Sequence, residues 1–323
     1  ADQISATVGN HTVVGDNAEF SYVALGSTGA GKVLRYETTD TVAATGGNDV
    51  IVLGNGNNVV LGGMGADQIT TGVGIDTIFG DNGYVQMDVQ GGNLAAFGTK
   101  SQPSTTGTVK IDDLGGDDVI LTGSGQKWLL GGDGKDTIKA GVDLATGAPL
   151  PIASDHIVVG DNAEFSYVVD ATTGVGTGKV LRYETTDTVA ATGGNDVILL
   201  GDGSNVVLGG MGADTITTGM GVDTIFGDNG YVQMDAVGGN LAAFGTKSQP
   251  STTGTVKITD LGGNDVIVTQ SGDKWLVGGD GADQISATVG NHTVVGDNAE
   301  FSYVALGSTG AGKVLRYETT DTV

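Results

Sequence analysis

The chain has 323 residues, of which 59 are glycine, 4 are proline and none is cysteine, and its 38 Asp and Glu against 14 Lys and Arg give a formal net charge of −24. A surface this anionic repels nucleic acid and anionic lipid, a chain without cysteine has neither a disulfide framework nor thiol chemistry, and no apolar run approaches the length of a membrane span. The glycines lie in short regular motifs separated by Ile, Val and Leu, which is typical neither of collagen nor of a flexible linker.

The first motif along the chain is the glycine-rich loop GSTGAGKV at residues 26–33. It fits the phosphate-binding loop G-x-x-x-x-G-K-[ST] except at Val33, which replaces the hydroxyl residue that holds Mg²⁺. The residues that follow, VLRYETTDTV, favour a strand where that motif needs a helix. A second copy of the segment has Thr173 in place of the first glycine. We therefore predict a hairpin turn here and no nucleotide site.

The chain repeats itself on two scales. Residues 282–323 are identical to residues 1–42, which gives a period of 281 residues, and KVLRYETTDTVAATGGNDVI occurs at both 32–51 and 179–198. A Gly-Asp-Asn motif recurs at five places, beginning at Gly15, Gly80, Gly160, Gly227 and Gly296. This pattern predicts a tandem array that continues past both ends of the sequence. The alternative is a closed protein with one duplicated end.

Between the Gly-Asp-Asn motifs the period falls to nine residues. Residues 44–79 divide into ATGGNDVIV, LGNGNNVVL, GGMGADQIT and TGVGIDTIF, with Gly at the fourth position, Asp or Asn at the sixth and Ile or Val at the eighth. The same pattern runs through residues 113–139, 191–226 and 260–286. Glycine permits the tight reversal of direction, and the triplet around the eighth position reads as a short strand with its central side chain pointing inward.

These nonapeptides resemble the repeats-in-toxin (RTX) family, whose repeat is G-G-x-G-x-D-x-U-x with U a large apolar residue. GGMGADQIT, GGDGKDTIK, GGMGADTIT and GGDGADQIS fit it at every defined position. The resemblance implies an all-β fold of tandem calcium-binding parallel β-rolls (a β-solenoid) interspersed with antiparallel β-hairpin inserts in an extended rod. It also implies Ca²⁺ bound between stacked turns through the sixth-position aspartates and turn carbonyls. Two nonapeptides make one coil, so residues 18 apart are expected to stack.

The domain prediction alternates rolls and inserts. Residues 1–14 are assigned to the end of a roll, and the later rolls to residues 35–79, 113–159 (with an extra loop), 182–226 and 260–295. The hairpin inserts are assigned to residues 15–34, 80–112, 160–181, 227–259 and 296–323. AEFSYVAL is expected to pair with KVLRYETT, and YVQMDV with TGTVKI. Apolar residues on the outer faces of the roll strands, such as Leu61, Phe79 and Trp128, need a cover, which the hairpins can supply.

Stacked carboxylates repel each other unless a cation lies between them, and carboxylate and carbonyl oxygens are the ligands that Ca²⁺ prefers. The predicted stacks include Asp49 over Asp67, Asn58 over Asp76 and Asp40 over Asn58. The predicted metal ligands are Asp40, Asp49, Asn58, Asp67, Asp76, Asp118, Asp136, Asp187, Asp196, Asn205, Asp214, Asp223, Asp265 and Asp283. The Gly-Asp-Asn aspartates are predicted to be terminal ligands or caps: Asp16, Asp81, Asp161, Asp228 and Asp297. The alternative is that these residues are ordinary turn formers.

Two residue types depart from the pattern at the sixth position. Lys127 and Lys274 have no acceptor atom; each is either a tethered ammonium that replaces a calcium ion or a solvated side chain at an empty turn. His11, His156 and His292 are either transition-metal ligands or turn residues before an insert.

No catalytic set is recognisable, because H-E-x-x-H, G-x-S-x-G and cysteine are all missing from the sequence. The chain is therefore predicted to be a calcium-stiffened structural array, not an enzyme, in a giant secreted bacterial protein that forms an extracellular filament or adhesin stalk. The alternatives are the calcium-binding part of a secreted RTX toxin or hydrolase, or a surface-layer protein. We expect self-association into a fibre or lateral contacts, export by type I secretion, as the resemblance implies, and no nucleic-acid, nucleotide or membrane-spanning role.

Overall fold

The computed structural model describes residues 1–40, 45–100, 115–187, 192–247, 262–304 and 313–320. These residues form an all-β fold of two nine-stranded parallel sheets and one ten-stranded antiparallel sheet. They contain no helix, and hence no helix that could cross a membrane.

The first parallel sheet takes one strand from every turn of the chain, in sequence order. Its strands are β1 Gln3–Val8, β5 Val50–Asn55, β7 Gln68–Thr71, β11 Val119–Thr122, β13 Thr137–Ala140, β17 Val197–Leu200, β19 Thr215–Thr218, β23 Val266–Thr269 and β25 Gln284–Ala287.

The second parallel sheet is built from the strands that alternate with these. They are β2 Thr12–Val14, β6 Val59–Leu61, β8 Asp76–Phe79, β12 Lys127–Leu130, β14 His156–Val159, β18 Val206–Gly210, β20 Asp223–Asp228, β24 Lys274–Val277 and β26 His292–Val295.

The eighth-position residues of the nonapeptides form the core between the two parallel sheets. Ile51 and Ile69 of the first sheet and Val60 and Ile78 of the second are at most 1% exposed and belong to one cluster. Within an uninterrupted run the partners are 18 residues apart, as Ile51 and Ile69 are. Across an insert the spacing changes, but the pairing continues, because Ile69 also pairs with Ile120. The parallel sheets therefore run through the inserts without a break.

The antiparallel sheet is formed by the strands of the inserts, which lie side by side in chain order. They are β3 Ala18–Tyr22, β4 Val33–Thr38, β9 Gly83–Met87, β10 Leu94–Thr99, β15 Ala163–Val169, β16 Gly176–Thr185, β21 Gly230–Met234, β22 Leu241–Thr246, β27 Ala299–Tyr303 and β28 Val314–Thr319. Each insert contributes two paired strands, and the second pairs with the first strand of the next insert, as β4 does with β9.

Two sequence expectations differ from this arrangement, and a third agrees with it. YVQM pairs with LAAFGT in β9 and β10, whereas its expected partner TGTVKI at residues 106–111 lies outside the described residues. Strand β4 extends to Thr38, beyond the predicted end of the insert at residue 34. The glycine-rich loop at residues 26–33 connects β3 to its antiparallel partner β4, as the predicted hairpin turn requires.

The antiparallel sheet covers the outer face of the second parallel sheet. Phe79 of β8 meets Phe97 of β10 edge to face, with 5.8 Å between ring centroids, and Phe97 stacks on Phe165 of β15 at 4.5 Å. All three rings are fully buried. The predicted apolar residues Leu61, Phe79 and Trp128 belong to this cluster. No strand of the described residues covers the outer face of the first sheet, where Val52 is 44% exposed.

Candidate functional site: two rows of turns

The turns between the parallel sheets form two rows, one along each side of the structure. Every strand of the first sheet is preceded by an aspartate, and we call this set the aspartate row: Asp2, Asp49, Asp67, Asp118, Asp136, Asp196, Asp214, Asp265 and Asp283. Every strand of the second sheet begins at or just after a residue of what we call the mixed row: His11, Asn58, Asp76, Lys127, His156, Asn205, Asp223, Lys274 and His292.

The aspartate row is a continuous hydrogen-bonded ladder. The backbone N–H of Asp49 donates to Oδ1 of Asp67 at 2.7 Å, and that of Asp67 donates to Oδ1 of Asp118 at 2.7 Å. The same bond recurs to the end of the row, and the four stacks predicted within this row are all present. The bonds that cross inserts, such as Asp136 to Asp196 at 2.8 Å, were not predicted, because an 18-residue spacing cannot reveal them.

The second carboxylate oxygen of this row lacks a partner at several positions. Oδ2 is buried without a hydrogen bond in Asp49, Asp67, Asp136, Asp196 and Asp214, and each of these side chains is at most 1% exposed. A buried carboxylate oxygen with no donor is costly. These oxygens therefore call for a ligand that accepts their lone pairs.

Glycine makes room beside each of these oxygens. A Cβ added at Gly62 would overlap both Oδ2 of Asp67 and the carbonyl oxygen of Gly80 in the next turn. The same pairing of a carboxylate and a carbonyl oxygen surrounds Gly131 and Gly209. Carboxylate and carbonyl oxygens converging on a space free of side chains are the donor set of Ca²⁺. The residues of the aspartate row therefore fit calcium.

The raised pKa values of carboxyl groups in the aspartate row also favour a bound cation. Burial, together with the neighbouring Asp49 and Asp16 carboxylates, raises the pKa of Asp67 to about 8. Burial likewise raises the pKa of Asp196 to about 7, with the Asp187 carboxylate contributing. Without a counter-cation, this many buried carboxylates resist ionisation. A divalent ion removes that penalty.

The Gly-Asp-Asn aspartates lie beside the aspartate row, where the chain leaves for an insert. Oδ2 of Asp16 accepts the N–H of Met64 at 2.7 Å, and Oδ2 of Asp81 accepts the N–H of Asp133 at 2.5 Å. Asp161 and Asp228 make the equivalent bonds to Met211 and Asp280. These aspartates thus cap the neighbouring turn.

Four of them also lie within the field of the row. Burial raises the pKa of Asp16 to about 6 and that of Asp228 to about 9, with neighbouring carboxylates adding to both. Burial and the carboxylates of the row raise the pKa of Asp81 and Asp161 as well. The fifth, Asp297, is exposed.

Asp40 occupies a different position from the one predicted. The residue beside Asn58 in the mixed row is His11, whose N–H donates to Asn58 Oδ1 at 3.2 Å. The stack of Asp40 on Asn58 was wrong, because the RYET segment before Asp40 belongs to strand β4. Asp40 instead accepts two bonds from Asn17, at 2.9 and 2.8 Å, and its counterpart Asp187 accepts the same pair from Asn162. Both tie the returning insert to its Gly-Asp-Asn motif.

The mixed row satisfies its acceptors with side chains. Oδ1 of Asp76 accepts the N–H and Nδ2 of Asn58, both at 2.9 Å. Oδ2 of Asp76 accepts Thr71 Oγ1 at 2.8 Å and Lys127 Nζ at 2.6 Å. Lys127 is fully buried, which excludes the solvated side chain considered from the sequence. Burial lowers the pKa of Lys127, while the Asp76 carboxylate opposes that shift.

Two of the histidines, His156 and His292, lie next to the lysines in the mixed row. His156 is fully buried, and neither of its ring nitrogens has a hydrogen-bond partner. Burial, with the Lys127 charge contributing, lowers the pKa of His156 to about 4. Over the described part of the chain no three His, Cys, Asp or Glu side chains converge as a metal site would require. His156 thus lies in the mixed row as a turn residue, and a calcium site in the aspartate row would draw on backbone carbonyls as well as carboxylates.

Comparison with known proteins agrees with this geometry. The family model of the RTX calcium-binding nonapeptide repeat matches residues 36–69, 61–83, 112–143, 183–216, 201–233 and 259–294, just over half of the chain. No curated protein and no solved structure shows significant similarity to it. These repeats are calcium-binding motifs, so several Ca²⁺ ions are the cofactors of the chain. The chain belongs to the RTX calcium-binding nonapeptide repeat family.

Proposed function

We propose that the chain is a calcium-stiffened structural array of a secreted bacterial protein that forms an extracellular filament or an adhesin stalk. The observation that carries the proposal is the aspartate row, in which a carboxylate precedes every strand of a nine-stranded sheet and is buried at seven of the nine. Strand spacing puts neighbouring carboxylates about 5 Å apart. Cations between them would convert mutual repulsion into cohesion along the whole stack.

The predicted ligands divide by position. In the aspartate row, Oδ2 of residues such as Asp67 and Asp136 would hold Ca²⁺ together with glycine carbonyl oxygens of the neighbouring turn. Beside the inserts, the Gly-Asp-Asn aspartates with Asp40 and Asp187 would complete or close those sites. The bound ion supplies fixed positive charge, and the chain supplies the oxygens, the glycine cradle and exclusion of water.

The periodicity supports an array that is longer than one period. The last strands, β25 to β28, have the same sequence as β1 to β4, and both parallel sheets pass through the inserts without a break. A further period could continue the same sheets and extend the rod. The near-identical 281-residue period favours this role over the calcium-binding part of a toxin or hydrolase, which needs only enough repeats to fold after export.

Calcium binding at the aspartate row can be tested with two charge-matched variants. Asp136→Asn removes a carboxylate of the row, whereas Asp155→Asn removes an exposed one whose Oδ1 accepts the Ser204 N–H, a bond that Asn can keep. We expect Asp136→Asn to lower the number or affinity of bound calcium ions in isothermal titration and to lower the melting temperature in calcium. Equal binding by the two variants would contradict this placement of the metal.

The biological role needs the intact gene product. Electron microscopy of the secreted protein in calcium should show long fibres, on cells or in the medium, that disperse in chelator. Hydrolytic or lytic activity without fibres would favour the enzyme or toxin alternative, and a two-dimensional lattice would favour a surface layer. Folding outside the cell after type I secretion is part of the proposal, because the −24 charge opposes folding where calcium is scarce.

A further inference from the structure

The mixed row contains a cationic centre with the surroundings of a bound metal ion. Lys127 Nζ lies 2.6 Å from Asp76 Oδ2 and 2.8 Å from the carbonyl oxygen of Gly74. The carbonyl oxygens of Gly72 and Ser124 lie at 3.2 and 3.3 Å. One carboxylate and three turn carbonyls from successive turns thus surround one positive charge with no exposure to solvent.

The second half of the chain builds the same centre. Lys274 Nζ lies 2.5 Å from Asp223 Oδ2, 2.9 Å from the Gly221 carbonyl oxygen and 3.3 Å from that of Gly219. Its side chain is also fully buried in the ion pair. The recurrence shows that the centre belongs to the repeat and is not an isolated contact.

At Asp67 the aspartate row offers the same kinds of oxygen, but no lysine among the described residues reaches them. Asp67 leaves Oδ2 without a partner, whereas both oxygens of Asp76 are satisfied. The side chain that distinguishes the two positions is Lys127. Its ammonium neutralises Asp76, whereas Oδ2 of Asp67 still lacks a cation.

We propose that Lys127 and Lys274 are built-in counter-cations at positions that would otherwise bind a divalent metal ion, so that the mixed row closes without metal and calcium is confined to the aspartate row. Only the confinement of calcium to the aspartate row rests on the proposed function; the role of the two lysines does not. Removing each ammonium should therefore turn its cage of oxygens into a calcium site. Each lysine at a sixth position then lowers the number of bound calcium ions by one.

The test compares calcium stoichiometry in two double variants. Lys127→Met with Lys274→Met keeps the bulk of each side chain but removes its charge, and we expect one additional calcium ion per replaced lysine in isothermal titration or in native mass spectrometry. The matched control is Lys32→Met with Lys179→Met, two equivalent lysines that are exposed on the inserts. The control should bind the same number of ions as the wild-type chain.

A second readout locates the new ions. Trp128 and Trp275 are the only two tryptophans and directly follow the two lysines. Terbium in place of calcium should therefore give stronger tryptophan-sensitised luminescence in the Lys127→Met, Lys274→Met variant than in the wild type or the control.

A further double variant keeps the proposal testable if Lys127→Met with Lys274→Met does not fold. Lys127→Asp with Lys274→Asp would give the mixed row the stacked carboxylates of the aspartate row, and we expect it to fold only in calcium and to bind additional ions. If neither double variant binds more calcium than the wild type, whether folded or unable to fold in saturating calcium, the proposal is overturned. A wild-type chain that binds no calcium would instead overturn the proposed calcium row, while a gain in the variants would still support the lysine centres.

Discussion

The two rows of turns solve the same problem in opposite ways. Each must hold polar sixth-position side chains against the same core, one strand spacing apart. The aspartate row stacks like charges and leaves carboxylate oxygens such as Oδ2 of Asp67 without donors, so we propose that its stability depends on cations from outside. The mixed row interleaves Asn, Asp, Lys and His, so that Asp76 is neutralised within the chain by Lys127. One side of the structure is therefore expected to respond to calcium and the other to be indifferent to it.

The largest effect that this comparison predicts is that of calcium removal. Chelation should abolish most of the β-sheet circular dichroism signal, because the unneutralised aspartate row then opposes folding of the whole stack, and millimolar calcium should restore it. Chelator saturated with calcium beforehand is the control. Identical spectra and melting with and without free calcium would show that the two rows do not differ as described.

The next effect concerns the cover of the second sheet, which does not depend on metal. Phe97→Ala removes a fully buried ring that stacks on Phe165, and we expect a loss of about 3–5 kcal/mol in denaturant unfolding in calcium. Phe20→Ala, at an edge strand where the ring is 42% exposed, should cost much less. Calcium stoichiometry should remain unchanged in both variants; a change would mean that the cover also shapes the metal row.

A smaller effect is expected from closing the glycine cradle. Gly62→Ala places a methyl group against Oδ2 of Asp67 and the Gly80 carbonyl oxygen, and we expect it to destabilise the fold by about 1–3 kcal/mol and to weaken calcium binding. In Gly92→Ala the nearest neighbouring atom would be 3.8 Å away, so this variant should behave as wild type in both titration and melting. Unaltered calcium affinity in Gly62→Ala would argue against a metal in this cradle.

The smallest effect lies on the antiparallel sheet and is seen in the pH dependence. Hydrogen bonds from Arg35 and Lys100 lower the pKa of Glu37 from 4.5 to about 2. Its contribution to stability is therefore fully present above pH 4.5 and is lost as the pH falls towards 2. We expect Glu37→Gln to be less stable than wild type at neutral pH by less than about 1 kcal/mol, with the difference closing in acid. Glu19 is exposed, so Glu19→Gln is the control. If its difference in stability from the wild type closed in acid by the same amount, the assignment of the pH dependence to Glu37 would be refuted.

The nonapeptide pattern was sufficient to predict the strands of the parallel sheets, the buried eighth position and the 18-residue stacks of the aspartate row. Asp49 over Asp67 followed from an 18-residue spacing, because two nonapeptides complete one turn of the chain. The stack of Asp67 on Asp118 could not be predicted in the same way, since the insert between them adds a length unrelated to that period. The error at Asp40 arose because RYETTDTVA mimics a nonapeptide while its first residues form a strand of the insert.

The division of the two rows was visible in the sequence only in part. Lys127 and His156 were recognised as departures from the repeat, but their partners come from turns 51 and 49 residues away. Only the three-dimensional register shows that they share one row with Asp76 and Asn205. Likewise, the apolar outer positions indicated that a cover was needed, but not that the antiparallel sheet would pack on the second parallel sheet.

The order of strands in the antiparallel sheet has a consequence for how the molecule is made. Its ten strands follow one another in space as they do along the chain, and the strands of each parallel sheet do so as well. Among the described residues, each strand therefore pairs only with the strands that come just before and just after it in its own sheet along the chain. A chain that enters a calcium-rich medium one end first can thus fold progressively from that end. If its export stopped early, the part already outside would form a shorter but correctly folded array.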